Sequence, residues 1–132
     1  MSVSGDDFIA IADRILVSED SEIGWRVAAG RAYYGAFHFC ADIVYTHPDT
    51  KVDGSKGSHE RVYRAVADLG PKALGSKDLK QLIYMTKNLR DIRTIADYDL
   101  STPFLKESAV QVIKGAKNIQ NLRSKFRNDH KI

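Results

Sequence analysis

Four polar side chains that could do chemistry, Arg31, Tyr34, His38 and Asp42, follow one another along a segment that is otherwise apolar or small. Their spacings of three, four and four residues place all four on one face of a helix. A buried cation without partners is costly, so such a line needs either paired neighbours or access to water. The line therefore predicts either a polar network in the core or an open polar cleft, and both interpretations stay open here.

A second polar line with similar chemistry lies later in the chain. Arg90, Arg93 and Asp97 stand three and four residues apart, and Tyr98 follows directly. If the helices that carry the two lines pack side by side, these side chains converge with His38 and the rest of the first line. The sequence therefore predicts one shared cluster of cations, an imidazole, a carboxylate and phenols.

The chemistry that this cluster predicts is cleavage of a phosphodiester without a metal ion. Arginine binds phosphate through two parallel hydrogen bonds and stabilises the charge of the transition state. In this hypothesis Arg90 and Arg93 bind the scissile phosphate. Asp97, helped by Tyr98 or His38, orients the attacking 2′-hydroxyl of an RNA substrate.

The alternative for the two lines is a structural brace. Arg31 or Arg93 would then pair with Asp42 or Asp97 inside the bundle, which is the usual fate of a charge in a small helical domain. In the open-cleft interpretation, Arg31 and Tyr34 instead contribute to binding of RNA or a nucleotide.

A histidine and an arginine at the start of the next helix add to the candidate site. His59 and Arg61 follow a loop rich in Gly, Ser and Asp, and both are candidates for RNA or nucleotide binding. His59 also has the chemistry for proton transfer near neutral pH. The competing interpretation is a histidine that is merely exposed at a helix start.

Charge is distributed unevenly along the chain. Residues 1–25 hold six acidic side chains and a single arginine, whereas residues 114–131 hold six basic side chains and a single aspartate. A basic end of this kind favours contact with RNA phosphates, for which Lys125 and Arg127 are the candidates. A solvated outer face of the last helix is the other interpretation.

The elements that must position these residues are all helices. Apolar residues recur at three- and four-residue steps, with turn signals between them. The pattern predicts helices over 4–18, 21–45, 58–69 and 76–95, and a fifth that starts with Thr102 as N-cap and Pro103 in its first turn. The predicted fold of residues 1–132 is one all-α domain, an up-and-down four-helix bundle with one additional short helix, the third. The predicted inner seam of the fifth helix is Leu105, Ala109, Val112, Ala116, Ile119 and Phe126, interrupted by Arg123.

Composition limits the class of protein further. The chain has 132 residues, 43% of them hydrophobic and 28% charged, which is ordinary for a protein that folds in water. No apolar run approaches a membrane span, and Cys40 is the single cysteine. We therefore expect a cytoplasmic protein with no membrane contact. The histidines lack the spacing of a zinc site, so no metal and no other cofactor is predicted.

Two segments of the chain resemble the HEPN family. Residues 26–38 contain Arg-Ala-Tyr-Tyr, and residues 89–99 contain Ala-Asp-Tyr, in the order that the family shows. The resemblance spans nearly the whole chain and implies a helical bundle. It also implies a homodimer that cleaves RNA without metal, using an arginine and a histidine of a late helix, or else an inactive partner of a nucleotidyltransferase.

The resemblance supports two hypotheses of different classes. The first is an RNA-directed module of a toxin-antitoxin or defence system that acts as an endoribonuclease. The second is a catalytically silent module that docks a nucleotidyltransferase, an antitoxin or another protein, and it is motivated by the late helix, which carries Asp97 and Tyr98 where the family has histidine. RNA, a second copy of the chain and a protein partner are thus all expected partners.

Overall fold

The computed structural model describes residues 3–46, 58–73 and 76–130, with the side chains of 44–46, 58, 68–73, 76–78 and 125–130 left aside. Within these ranges the chain forms five helices and no strand. The helices are α1 (Gly5–Ser18), α2 (Glu22–Thr46), α3 (Ser58–Ala73), α4 (Ser76–Tyr98) and α5 (Lys106–His130). The predicted all-α bundle is confirmed. None of these helices is both long and apolar enough to cross a membrane.

Helix α2 is the centre of the bundle and packs against each of the other four helices. Small residues make this possible, because Ala28, Ala32 and Ala36 are fully buried and add little width to the helix. At Gly35 the helix comes so close to α1 that an added Cβ would lie 2.7 Å from the carbonyl oxygen of Gly5. The small residues of α2 therefore allow its neighbours to approach it closely.

The first helix begins and ends where the sequence predicts. The backbone N–H of Ser4 donates to Oδ2 of Asp7 at 2.7 Å, and the N–H of Asp7 donates to the carbonyl oxygen of Ser4 at 3.1 Å. These two bonds satisfy amide groups that have no partner inside the helix. The carboxylate of Asp7 also suits the positive end of the helix dipole.

Most of the predicted seam of α5 is correct. Ala109, Val112, Ala116 and Ile119 are all fully buried. The prediction is wrong for Leu105, which precedes the helix and is 59% exposed. The side chain of Phe126 lies outside the described residues. Arg123 interrupts the seam as predicted, and its guanidinium carbon lies 4.9 Å from the centre of the Phe39 ring.

The boundary between α4 and α5 differs from the prediction, because distant residues hold the connecting segment. The predicted fourth helix ends near 95, whereas α4 continues to Tyr98, and α5 starts at Lys106 instead of next to Pro103. Arg26 explains both shifts, since it is only 4% exposed and donates to carbonyl oxygens of this segment. The acceptors are Ile95 (3.2 Å), Ala96 (2.9 Å), Asp99 (3.1 Å) and Thr102 (2.6 Å).

Glu22 holds the same segment from the start of α2. The N–H of Phe104 donates to Oε1 of Glu22 at 3.2 Å, and the Phe104 ring is buried beneath the guanidinium of Arg26. An extended segment fixed in this way cannot form the first turn of a helix at Thr102.

The third helix is longer than the prediction. It runs through Gly70 and Pro71 to Ala73, and with 16 residues it is longer than α1, which has 14. A proline lacks one N–H donor but does not forbid helical backbone after it, so the helix continues about one turn beyond the predicted end. The predicted loop between the second and third helices falls mostly on residues 47–57, outside the described residues.

Candidate functional site

The two polar lines meet around Tyr34, in the middle of α2. The centre of its ring lies 4.6 Å from the guanidinium carbon of Arg31 and 5.3 Å from that of Arg93. The same ring is 5.8 Å from the ring of His59 and 6.4 Å from that of His38. Helices α2, α3 and α4 therefore place two cations and two imidazoles around one phenol. We call these five residues the Tyr34 cluster.

Arg93 is held between α4 and α2. Its Nη2 donates to the hydroxyl of Tyr34 at 3.1 Å, and its Nε lies 2.9 Å from Oδ2 of Asp97. The Nε–H group is not directed at that oxygen and has no hydrogen-bond acceptor among the described residues, so the contact with Asp97 is an ion pair only. The side chain of Arg93 is 12% exposed. The brace interpretation is thus correct for Arg93 and Asp97.

Arg31 is not part of a brace. Its guanidinium lies over the rings of Tyr34 and Phe8, at 4.6 and 5.8 Å, and it forms no ion pair with any residue that the structure describes. Asp42, the alternative partner, instead lies 3.2 Å from Nη2 of Arg123. Arg31, Tyr34 and His38 are half-buried and Asp42 is exposed, so the core-network interpretation is wrong for Arg31.

His59 is fixed by its neighbours and is not merely an exposed residue. Its ring stacks on Phe37 with centres 4.0 Å apart, and its Nδ1 lies 2.7 Å from the hydroxyl of Tyr33. Burial lowers the pKa of His59 from the ordinary value of 6.5, and the positive charges of Arg93 and Arg90 lower it further. The imidazole is therefore held neutral at neutral pH.

A pair of buried tyrosines extends the hydrogen bonding of His59 into the core. The hydroxyl of Tyr33 lies 2.7 Å from that of Tyr63, and both residues are at most 1% exposed. Burial is the main cause that raises the pKa of Tyr33 to about 12 and raises the pKa of Tyr63 as well. Both phenols stay protonated at neutral pH. Neither tyrosine is among the site residues predicted from the sequence, and the only signal for Tyr63 is its position four residues after His59.

Arg90 lies beside the cluster but is committed to another partner. Its Nη1 lies 3.2 Å from Oε2 of Glu60, and Nζ of Lys87 lies 3.5 Å from the other carboxylate oxygen. The guanidinium of Arg90 also lies 5.5 Å from the centre of the Tyr63 ring. Glu60 was not among the predicted site residues, and it neutralises part of the charge that the prediction assigned to phosphate binding.

Asp97 and Tyr98 occupy the last turn of α4 and not a connecting segment. Oδ1 of Asp97 lies 3.4 Å from the position that a Cβ would occupy at Gly30, so this carboxylate sits against α2. The ring of Tyr98 lies 5.8 Å from the guanidinium carbon of Arg93 and is 72% exposed. Both residues therefore adjoin the Tyr34 cluster, as the sequence predicts.

A shallow groove of about 340 Å³ begins at the edge of the cluster. Phe8 belongs to the groove and also contacts the cluster. The centre of its ring lies 5.3 Å from that of His38, on which it stacks, and 6.3 Å from that of Tyr34. The groove provides room for a ligand that extends from the cluster along α1 and α2. Its lining residues are Val3, Ser4, Gly5, Phe8, His38 and Asp42.

Three predicted binding residues are not placed in the cluster. Arg61 is half-buried and lies two residues after His59, a spacing that directs the two side chains to different sides of α3. Lys125 and Arg127 belong to the last turns of α5, and their side chains lie outside the described residues. The nearby Arg123 contacts Asp42, which is about 12 Å along α2 from Tyr34 at the usual helical rise.

Within the described ranges, no group of three or more histidine, cysteine or acidic side chains is placed to hold a metal ion. No protein-family model, curated protein or solved structure matches this chain. The chemistry of the Tyr34 cluster is therefore the basis on which a function is argued.

Proposed function

We propose that this chain is an RNA-directed module of the HEPN type that binds the RNA backbone at the Tyr34 cluster and cleaves it without a metal ion. The observation that carries the proposal is that Arg31 and Arg93 both lie over the ring of Tyr34. Their guanidinium carbons lie within 10 Å of each other, because 4.6 and 5.3 Å separate them from one ring centre. Two arginines at this spacing suit a chain of phosphates.

The geometry changes the roles of the predicted residues. Arg31 takes the phosphate-binding role that the sequence hypothesis gave to Arg90, because Arg31 shares the Tyr34 ring with Arg93, whereas Arg90 lies over Tyr63 and is paired with Glu60. Asp97 orients Arg93 through its ion pair instead of orienting the 2′-hydroxyl. Tyr98 is exposed beside Arg93 and offers a ring on which an RNA base can stack.

RNA cleavage in the presence of EDTA tests the proposal. Purified protein should cleave single-stranded or transfer RNA, and Arg31→Gln and Arg93→Ala should each reduce the rate at least tenfold. Arg14→Gln is the matched control, since Arg14 is an exposed arginine on α1. Loss of activity that is equal in all three variants, or no loss in any, would point to a contaminating nuclease and contradict the proposal.

A second candidate is a catalytically silent module that docks a protein partner. Single exposed apolar residues are normal on a protein surface, but a group of them marks a site of association. The end of the bundle where α1 and α4 end and α2 and α5 begin carries such a group. Its members and their exposed fractions are Val17 (81%), Ile23 (66%), Tyr98 (72%), Leu100 (73%) and Leu105 (59%).

The candidates for this surface are a second copy of the chain, a nucleotidyltransferase and an antitoxin. Light scattering of the purified chain measures whether it is a dimer, and co-expression with the product of the neighbouring gene tests for a stable complex. Ile23→Glu should break either assembly, whereas Val110→Glu, a similar change on α5, should not. An RNA substrate or an antitoxin partner is consistent with the predicted cytoplasmic location.

A further inference from the structure

We propose that His59 is the proton acceptor of RNA cleavage at the Tyr34 cluster and that Tyr33 holds its imidazole in position; this inference rests on the proposed function. Cleavage of RNA by its own 2′-hydroxyl needs a group that removes the hydroxyl proton. The late helix offers only Asp97, which is engaged by Arg93, and the phenol of Tyr98. His59 reaches the same surface from α3.

The imidazole of His59 has the fixed orientation that a catalytic base needs. Its ring is stacked on Phe37 with an angle of 15° between the planes, and it meets the ring of Tyr34 edge-on at 82°. Its Nδ1 is bonded to the hydroxyl of Tyr33 at 2.7 Å. In the tautomer whose Nδ1 carries the hydrogen, Nε2 is the nitrogen that can accept a proton, and one face and one edge of the ring are already in contact with protein.

The hydrogen bonds of the two tyrosines allow the tautomer that the step requires. In the state that can act as a base, Nδ1–H of His59 donates to the oxygen of Tyr33, and the hydroxyl of Tyr33 donates to the oxygen of Tyr63. Nε2 then carries a lone pair. In many enzymes a third group, often a carboxylate, orients the catalytic base through a hydrogen bond. Here the phenol of Tyr33 takes the place of that carboxylate.

The surroundings also favour the neutral imidazole that the step requires. Burial acts together with the charges of Arg93, Arg90 and His38 to lower the pKa of His59. The rings of Tyr33, Tyr34 and Phe37 also face the imidazole. No carboxylate among the described residues is a cause of this shift, so the neutral imidazole is favoured at neutral pH.

The proposed step is balanced in atoms and electrons. The 2′-oxygen forms a bond to phosphorus as the bond from phosphorus to O5′ breaks, which leaves a 2′,3′-cyclic phosphate and a 5′-hydroxyl. Nε2 of His59 takes the proton of the 2′-hydroxyl, and O5′ takes a proton from water. The imidazolium later returns its proton to solvent. Arg31 and Arg93 neutralise the charge that develops on the phosphate oxygens.

Four proteins compared on one labelled RNA test this assignment. They are the wild type, His59→Ala, Tyr33→Phe and the control Tyr84→Phe, which removes the hydroxyl of an exposed tyrosine on α4. Cleavage is measured in EDTA between about pH 5 and pH 8, RNA binding is measured by fluorescence anisotropy, and folding is checked by thermal melting. Imidazole is then added to His59→Ala.

The expected result is a loss of about 10²- to 10⁴-fold in the cleavage rate of His59→Ala, with RNA affinity within about twofold of the wild type. Added imidazole should restore part of the rate, and the products should end in a 2′,3′-cyclic phosphate. Tyr33→Phe should lose about tenfold and shift the acidic limb of the pH profile, because its imidazole is no longer oriented. Tyr84→Phe should match the wild type.

Other outcomes overturn the assignment in distinguishable ways. If the wild type cleaves and a folded His59→Ala cleaves equally well, the base is another residue and the proposed function stands. If His59→Ala fails to fold, His59→Asn replaces it in the rate measurement and in the rescue by imidazole. A folded His59→Asn that cleaves as fast as the wild type would show that the base is another residue. If the wild type neither binds nor cleaves RNA, the proposed function and the assignment fail together.

Discussion

The guanidinium of Arg93 on α4 donates a hydrogen bond to the hydroxyl of Tyr34 on α2 at 3.1 Å. This bond crosses between the two helices that carry the polar lines of the sequence. It fixes the phenol around which Arg31, His38 and His59 also gather. Arg93 therefore joins two helices through a hydrogen bond and an ion pair, whereas the contacts of Arg31 are with the rings of Tyr34 and Phe8. Substitution distinguishes the two arginines.

Arg31→Gln should weaken RNA binding with only a small loss of stability. Arg31 has no ion pair with a described residue, and loss of its contacts with the rings of Tyr34 and Phe8 should lower the free energy of unfolding by about 1 kcal/mol or less. Loss of one phosphate contact should reduce the slope of log affinity against log salt by about 1. Salt titrations of binding by wild type, Arg31→Gln and the control Arg14→Gln measure this slope. An unchanged slope in Arg31→Gln would exclude contact with phosphate.

Arg93→Ala should weaken RNA binding and also destabilise the protein. The substitution leaves the hydroxyl of Tyr34 without its donor and the carboxylate of Asp97 without its ion pair. We expect a loss of about 1–3 kcal/mol in the free energy of unfolding, measured by urea denaturation. Arg93→Ala combined with Asp97→Asn should recover part of this loss, because the unpaired carboxylate is removed. A single variant as stable as the wild type would contradict the contacts described for Arg93.

Arg26→Met should be the most destabilising of the arginine substitutions. Arg26 is 4% exposed and donates to the carbonyl oxygens of Ile95, Ala96, Asp99 and Thr102. Without the guanidinium these acceptors lose their partner at a buried helix end, so we expect a loss of at least about 3 kcal/mol.

Thermal and urea denaturation measure the effect of Arg26→Met, with Arg64→Met as the control for an exposed arginine on α3. If the segment between α4 and α5 is held mainly by Arg26, hydrogen exchange of its amides should accelerate together with the loss of stability. Similar stability of the two variants would show that the segment is held by other contacts.

Local signals in the sequence predict the parts of this fold that local contacts determine. The start of α1 is correct because Ser4 and Asp7 cap the helix within one turn. The start of α5 is wrong because the segment around Thr102 is fixed by Arg26, 76 residues earlier in the chain. No local pattern reveals such a contact. Arg26 belongs to the segment on which the family resemblance rests, and its role as a cap of α4 is visible only in the folded chain.

The candidate site likewise has features that local spacing predicts and features that depend on contacts between distant residues. Helical spacing correctly groups Arg31, Tyr34 and His38, and it correctly groups Arg93 with Asp97. Spacing cannot tell which cations remain without a carboxylate. Glu60 pairs with Arg90 and Asp42 pairs with Arg123, in each case from another helix, so spacing along a single helix does not reveal these pairs. The contact of His59 with Tyr33 likewise spans 26 residues.

His59 should make the stability of the protein sensitive to mild acid. Its pKa in the folded protein is lowered, chiefly by burial, whereas the unfolded chain takes up the proton near pH 6.5. Between these two values the unfolded state binds more protons, so stability rises with pH. The contribution of the neutral imidazole is complete above about pH 6.5 and is lost as the pH falls through the folded pKa.

Melting temperatures at about pH 7.5 and pH 5.5 test this dependence in the wild type and in His59→Asn. The wild type should lose more than the variant on acidification, because asparagine does not titrate. Carboxylates with a lowered pKa, such as Asp20 and Asp99, are present in both proteins and cancel in the comparison. Equal losses of melting temperature in the two proteins would mean that His59 has the same pKa in the folded and the unfolded state.

Gly35→Ala should destabilise the bundle, whereas Gly30→Ala should not. Both glycines are buried in the middle of α2, where alanine favours the helix by about 1 kcal/mol. At Gly35 the new methyl group would lie 2.7 Å from the carbonyl oxygen of Gly5 and 2.7 Å from Cγ1 of Ile9. A backbone oxygen cannot move aside without shifting α1, so overpacking should outweigh the gain by about 1–2 kcal/mol.

At Gly30 the atom nearest to the new methyl group would be Oδ1 of Asp97 at 3.4 Å, an ordinary contact. Urea denaturation of the two variants measures the difference, and a Gly35→Ala protein at least as stable as Gly30→Ala would show that α1 and α2 do not pack this closely.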